Sequence, residues 1–234
     1  MNAPADIATV DLAVTSLRDF NEALHALQPS TNQTMWKVIN PRGQHAVAVG
    51  LDAPISVTIE GHVGYYAAGM NQQAHVRING NAGPGVAENM MSGEVWVRGD
   101  ASMAAGATGC GGLLVIEGNA GARCGISMKG IDIVVRGSVG HMSAFMAQEG
   151  NLVICGDAGD ALGDSLYEAR IFVRHKVASL GADCEEKPMG TKELAILDKL
   201  LSRAGIANID SREFRFYGSA RRLYHFHIDN AQEY

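Results

Sequence analysis

Residues 152–165 read LVICGDAGDALGDS. A strand-like run, Leu152, Val153 and Ile154, enters G-D-A-G, the outline of a glycine-rich phosphate loop. Alternatively, the glycine is one copy of a period. Stepping back from Gly156 by nineteen residues lands on Gly137, Gly118, Gly99, Gly80 and Gly61. A second glycine follows three residues later in five of these six copies, at Gly64, Gly83, Gly121, Gly140 and Gly159; Ser102 stands in the remaining one. Stepping forward lands on His175. A phosphate loop occurs once in a fold, whereas a motif in fixed register marks a repeat architecture, so the nucleotide site is rejected.

The neighbours of each glycine define the repeating unit. Four and two positions earlier stand Val57/Ile59, Val76/Ile78, Val95/Val97, Leu114/Ile116, Ile133/Val135, Leu152/Ile154 and Ile171/Val173. This alternation of β-branched residues and leucine means a strand with one buried face. Two positions after the glycine come Val63, Ala82, Ala101, Ala120, Val139, Ala158 and Val177. Seven positions after it come Ala68, Ala87, Gly106, Gly125, Ala144, Gly163 and Ala182, all small, as expected where a coil must close. The roughly 14 residues between strands are too glycine-rich for the crossover helix of a βαβ fold. The pattern predicts an all-β core: a right-handed parallel β-helix of about seven coils, stacked at about 4.8 Å. We place an N-terminal helix and lead-in at 1–44, the solenoid at 45–189, and a C-terminal helix with an extended aromatic docking arm at 190–234.

Two rows of strand residues point outward. One position before the glycine are Glu60, Asn79, Arg98, Glu117, Arg136, Cys155 and Arg174, a mixed-charge row suited to solvent. Three positions before it, Trp96, Val115, Val134, Val153 and Phe172 form a continuous apolar stripe. Such a stripe requires a cover, either the chain's own tail or a partner. The flanks offer candidates. Residues 16–27 read as a helix capped by Ser16, with Leu17, Phe20, Leu24 and Leu27 on one face and Pro29 beyond its end. Residues 191–204 read as a second helix capped by Thr191, with a stripe of Leu194, Leu197, Leu200 and Leu201 and a Gly205 stop. The ending, SREFRFYGSARRLYHFHIDNAQEY, holds Phe214, Phe216, Tyr217, Tyr224, Phe226 and Tyr234 beside Arg212, Arg215, Arg221 and Arg222. Arginine and aromatic residues are favoured at interfaces.

Composition narrows the function. The net charge is −6 with no long basic run, which argues against a nucleic-acid partner. No apolar stretch reaches the ~18 residues of a membrane span. The N-terminal MNAPADIATVDLAV lacks the basic segment and apolar core of a secretion signal. Cys110, Cys124, Cys155 and Cys184 form no C-x-x-C pair and read as reduced thiols of a cytoplasmic protein. His225 and His227 flank Phe226 and read as surface histidines. Asp157, Asp160, Asp164 and Glu168 could be grouped as calcium ligands, but they do not recur at nineteen as calcium solenoids require. No hydrolase, zinc-protease or P-loop motif is present. We expect no catalytic residue, cofactor or metal on this chain.

The 19-residue G-x-x-G coils over 55–187 resemble the GXGXG β-helix domain at the C-terminal end of the glutamate synthase large subunit. A related domain occurs in formylmethanofuran dehydrogenase, on one of its smaller chains. The stretches GDSLYEARIFVRHKVASLGADCEEKPM (163–189) and FRFYGSARRLYHFHIDN (214–230) are similar to the stand-alone form of this domain in N-methylglutamate synthase, also called methylamine–glutamate N-methyltransferase. His175 departs from the pattern where another glycine is favoured. The resemblance implies a non-catalytic subunit that spaces two others, a class II glutamine amidotransferase-like chain and an FMN-binding synthase chain. FMN and an iron–sulfur cluster would belong to the synthase chain. The complex would convert methylamine and glutamate to N-methylglutamate and ammonia. A paralogous amidotransferase-type complex would use the same scaffold, and the formylmethanofuran dehydrogenase component is a further alternative. Contact residues expected on physical grounds are Trp96, Val115, Val134, Val153 and Phe172, then Asp164, Tyr167 and Glu168, then Phe214, Phe216, Tyr217, Arg221, Arg222, Tyr224 and Phe226.

Overall fold

The computed structural model describes residues 7–221. The alternating pairs before each glycine form strands β3 (Ser56–Glu60), β4 (His75–Ile78), β5 (Glu94–Val97), β6 (Leu113–Ile116), β7 (Lys129–Val135), β8 (Glu149–Ile154) and β9 (Arg170–Val173). They pair parallel in one register, Val57 to Val76 to Val95 to Leu114 to Ile133 to Leu152 to Ile171. The inward member of every pair is buried. On the next side of the coil, Val63, Ala82, Ala101, Ala120, Val139, Ala158 and Val177 bridge in a second parallel ladder. The result is a parallel β-solenoid of about seven coils, as the period predicts.

The return path is built differently from a strand. Residues five, seven and nine positions after the turn glycine take positive φ in coil after coil; in one coil these are Gly85 (69°), Ala87 (56°) and Asn89 (57°). Their amides point alternately forward and back. Gly85 N–H donates to Met103 O at 3.0 Å, Ala87 N–H to Ala67 O at 2.9 Å, and Asn89 N–H to Ala107 O at 2.9 Å. Each coil is thereby tied to both neighbours. A left-handed conformation costs an L-residue about 1–2 kcal/mol, and the inter-coil hydrogen bonds hold it in place. Small residues at the seventh position fit this conformation as well as the narrow interior.

The turn glycines serve close approach. A Cβ on Gly118 would lie 2.3 Å from Asp100 Oδ1 and 2.8 Å from the Gly99 carbonyl carbon. Asp100 belongs to a corner ladder in which each side chain accepts the backbone N–H of its counterpart one coil on. His62 Nδ1 accepts from Asn81, Asn81 from Asp100, Asp100 from Asn119, Asn119 from Ser138, Ser138 from Asp157, and Asp157 from Lys176, at 2.7–3.0 Å.

Two strands precede the regular coils. β1 (Ile7–Asp11) and β2 (Met35–Ile39) extend the parallel sheet, with Ile7 opposite Met35 and Trp36 opposite Val57. The ladder therefore begins well before residue 45, outside the 19-residue register. Between them lies α1 (Leu17–His25), capped as expected by Ser16, whose Oγ accepts the Asp19 N–H at 3.1 Å. Phe20 and Leu24 close the core, and α1 stands in for a missing coil. Ala48 is the counterpart of Ala68, whose N–H reaches back to Val47 O in the preceding coil. Ala48 has no such coil behind it, and its N–H donates instead to Asn21 Oδ1 at 3.1 Å. Asn21 Nδ2 donates to Ala46 O at 2.9 Å, and His25 Nε2 bonds Val49 O at 2.7 Å.

The other flank covers the apolar stripe. α2 (Thr191–Arg203) lays Leu197, Leu200 and Leu201 on Val115, Val134, Val153 and Phe172, and Ala204, Ile206 and Phe214 complete the layer. Arg136 caps the end of α2, donating to Ala204 O at 3.0 Å, and Gly205 takes the left-handed stop. Two expectations need correction. Thr191 is the first helical residue, not the cap; Gly190 occupies the cap position without a side-chain bond. The proposed arm is, over Arg215–Ser219, strand β11, antiparallel to β9 on one edge and to β10 (Cys184–Lys187) on the other. A short 3-10 helix, Ser211–Glu213, turns the chain into β11, and Asp210 accepts the Arg212 N–H at its start.

The fold makes three stability predictions. Gly118→Ala should cost about 1–3 kcal/mol through overpacking, read as a fall in melting temperature of about 2–4 °C per kcal/mol. Asn21→Ala should cost about 1–3 kcal/mol, because two backbone groups of the first coil lose their partners. The third concerns thiols. Burial pushes Cys124 up to about 12 and Cys155 and Cys184 up to about 11, whereas Cys110 is exposed. Ellman's reagent should titrate Cys110 alone in the native protein and all four cysteines after unfolding. The unfolded chain releases these protons near pH 9 and the folded chain holds them, so stability should fall from about pH 9 towards pH 12. Equilibrium denaturation across that range checks the sign.

Candidate functional site

The apolar stripe is not a free surface. Val115, Val134, Val153 and Phe172 have no exposure, because α2 packs on them. Trp96 stays partly buried at the margin, with the Arg77 guanidinium 5.6 Å from its ring centroid. Of the two covers considered for the stripe, the chain's own tail is the one present. Val115, Val134, Val153 and Phe172 are therefore corrected from contact residues to core. Phe214 joins the same layer, and Tyr217 is buried against the solenoid core. Burial, the largest influence, raises the Tyr217 hydroxyl above its ordinary pKa, with Arg215 acting in the opposite direction.

The remaining expected contacts meet elsewhere. The last coil breaks the period, because β11 runs against β9. Where β9, β11 and the start of α2 diverge, they leave a cleft of about 740 Å³. Tyr167, Glu168, Phe216 and Arg221, all named from sequence, line it. The inter-coil ladder fixes the first two: Tyr167 N–H donates to Ala147 O at 2.8 Å and Glu168 N–H to Gln148 O at 2.7 Å. Phe216 stacks on Phe172 with centroids 5.4 Å apart. Arg221 is held by an ion pair with Asp183.

Sequence inspection did not find the other charges around the cleft. Glu149 and Arg170 begin β8 and β9, Lys187 ends β10, and Lys192 and Glu193 stand in the first turn of α2. They come from different coils and from the non-repeating tail, so no spacing joins them. Lys187 pairs with Glu185 at 2.6 Å. Charges of both signs around aromatic side chains form a surface that recognises a charged protein segment, where complementarity sets specificity and encounter rate.

The acidic group at 157–168 is mostly structural. Asp157 accepts the Lys176 N–H at 2.9 Å, Asp160 accepts from Ser179 Oγ at 3.1 Å, and Asp164 accepts from Ser165 Oγ at 2.8 Å and the Ala182 N–H at 3.2 Å. Asp164 faces the next coil and not the cleft. Among the described residues, no three histidine, cysteine, aspartate or glutamate side chains gather as a metal site. No described helix is long and apolar enough to cross a membrane. Arg222, Tyr224, His225, Phe226, His227 and Tyr234 lie outside the described residues.

Comparison with known proteins places the chain. No family model matches it, and no solved structure matches it. Protein GlxC of Rhizobium meliloti (strain 1021) is 62% identical over 225 residues, which span 96% of this chain and 99% of that protein. An alignment of this depth over nearly the whole of both chains carries the coils, both helices and the strand reversal together: the chain belongs to the GlxC family.

Proposed function

We propose that this chain is the non-catalytic structural subunit of a glutamate-synthase-like complex, and that the complex is an N-methylglutamate synthase. The observation that carries the reading is the pairing of a rigid solenoid of GXGXG-type coils with a charged cleft at its carboxyl-terminal end. The coils match the β-helix of the glutamate synthase resemblance. The cleft gathers four of the residues expected to touch partners. In this reading one partner is a class II glutamine amidotransferase-like chain and the other an FMN-binding synthase chain that also carries an iron–sulfur cluster. The scaffold moves no proton. It fixes the distance and orientation of the two sites and shields the route between them from water. The net reaction is methylamine plus glutamate to N-methylglutamate plus ammonia, with the chemistry on the other chains. The complex works in the cytoplasm.

Purification of the tagged chain from its own organism grown on methylamine tests this. We expect two larger chains and FMN to co-purify, and the assembly to form N-methylglutamate. A chain recovered alone overturns the scaffold role, and an assembly with FMN but without that activity points to a paralogous complex. The cleft is tested in the same preparation. Lys192→Glu and Tyr167→Ala should each weaken capture of a partner about tenfold, the loss typical of an interface anchor, while leaving the far-ultraviolet circular dichroism unchanged.

A further inference from the structure

The two ends of the sheet are finished differently. At the carboxyl-terminal end, β11 and β10 add to β9, and the final edge strand, β10, presents Glu185, Glu186 and Lys187. Charged side chains on an edge strand block further pairing. At the other end the last strand is β1, whose inner edge pairs with β2. Among the described residues nothing pairs with its outer edge, and from Ile7 to Val10 it carries no charge. Apolar side chains gather beside it. Ile7 is 54% exposed, its register partner Met35 is 36% exposed, and Val14 just beyond the strand is 85% exposed. An uncharged, unpaired edge flanked by exposed apolar groups is a template for one more strand.

The strand that fits is β1 of a second copy. β1 is self-complementary about Thr9. In an antiparallel pair centred there, Ala8 faces Val10 of the second copy, and both lie on the inward side, since their neighbours in β2 are Trp36 and Val38. Thr9 then faces Thr9, a favourable cross-strand pair, on the outward side. A shift by one residue would set inward against outward side chains along the whole strand. We propose that the chain forms a two-fold dimer by antiparallel pairing of β1 with β1, joining two solenoids into one continuous sheet. This surface is remote from the cleft and independent of what the cleft binds.

Charge exchange at the two-fold position tests this. Thr9 is exposed, so Thr9→Lys and Thr9→Glu can fold, with circular dichroism and melting as checks. Analytical ultracentrifugation of the wild-type chain at micromolar concentration should give twice the chain mass. Each variant alone places like charges face to face and should weaken the dimer about tenfold or more. An equimolar mixture of the two should restore it, which only a pairing that brings the two Thr9 positions together allows. A monomeric wild-type chain, a variant that stays dimeric, or a mixture that stays monomeric overturns the proposal.

Discussion

Every coil in this protein is held by hydrogen bonds that its own residues cannot supply. Each backbone N–H along the coil must find its acceptor one coil forward or back, at a fixed register. On the sheet side the parallel ladder does this. On the return side the alternating amides of residues such as Gly85, Ala87 and Asn89 do it. At the corner a side-chain oxygen, or in the first case His62 Nδ1, does it. The constraint sets the period. One extra residue in a coil would turn every inward side chain outward and misalign three separate ladders. It also sets composition, because only a residue without Cβ passes the stacked corner, where Gly80 sits over the Gly61 carbonyl.

The same constraint makes the ends costly. A solenoid cut at any coil exposes a full row of unpaired donors and acceptors. The chain resolves this once with a helix and once with a reversal. α1 presents Asn21 and His25 to the first coil as a surrogate neighbour. At the other end β11 reverses direction on β9, and the chain cannot reverse without leaving the repeat. The cleft lies at that departure. Its lining is drawn from two strand starts, a strand end, a helix start and β11, because only there do elements diverge instead of stacking. The site of recognition and the termination of the fold are one structural event.

This explains what is legible in the sequence. Val57 through Val173 announce the sheet because a period repeated over seven coils is hard to mistake. The apolar stripe and the leucines of α2 are both visible, though not that one covers the other, since contact between distant segments has no local signature. The corner ladder leaves a signal that becomes plain only beside the structure: Asn81, Asp100, Asn119, Ser138 and Asp157 all follow a turn glycine and are all short acceptors. The left-handed residues leave almost none. Tyr66, Arg123 and Met142 adopt positive φ without the glycine that usually marks it, because inter-coil bonds override the local preference. β1 and β2 escape the period because Trp36 meets Val57 outside the nineteen-residue step. In the cleft, Tyr167, Phe216 and Arg221 are recognisable by their chemistry, while Arg170, Lys187 and Lys192 need the fold to bring them together.

A stack of this kind is suited to measuring distance. Interactions run only between neighbouring coils, so no long-range core can shift, and length follows from the number of coils at about 4.8 Å each. From β1 to β9 the span is roughly 40 Å on that spacing. The two ends differ in chemistry, one an uncharged strand edge and the other a charged cleft, so the rod has a direction. A protein seated at one end is held at a defined separation from whatever meets the other. A bundle of helices sliding on one another would not hold that separation as firmly, because its contacts permit small shear movements. Where two reacting centres must keep a fixed separation, a rigid, directional spacer contributes to rate by removing orientational freedom and needs no catalytic residue to do so.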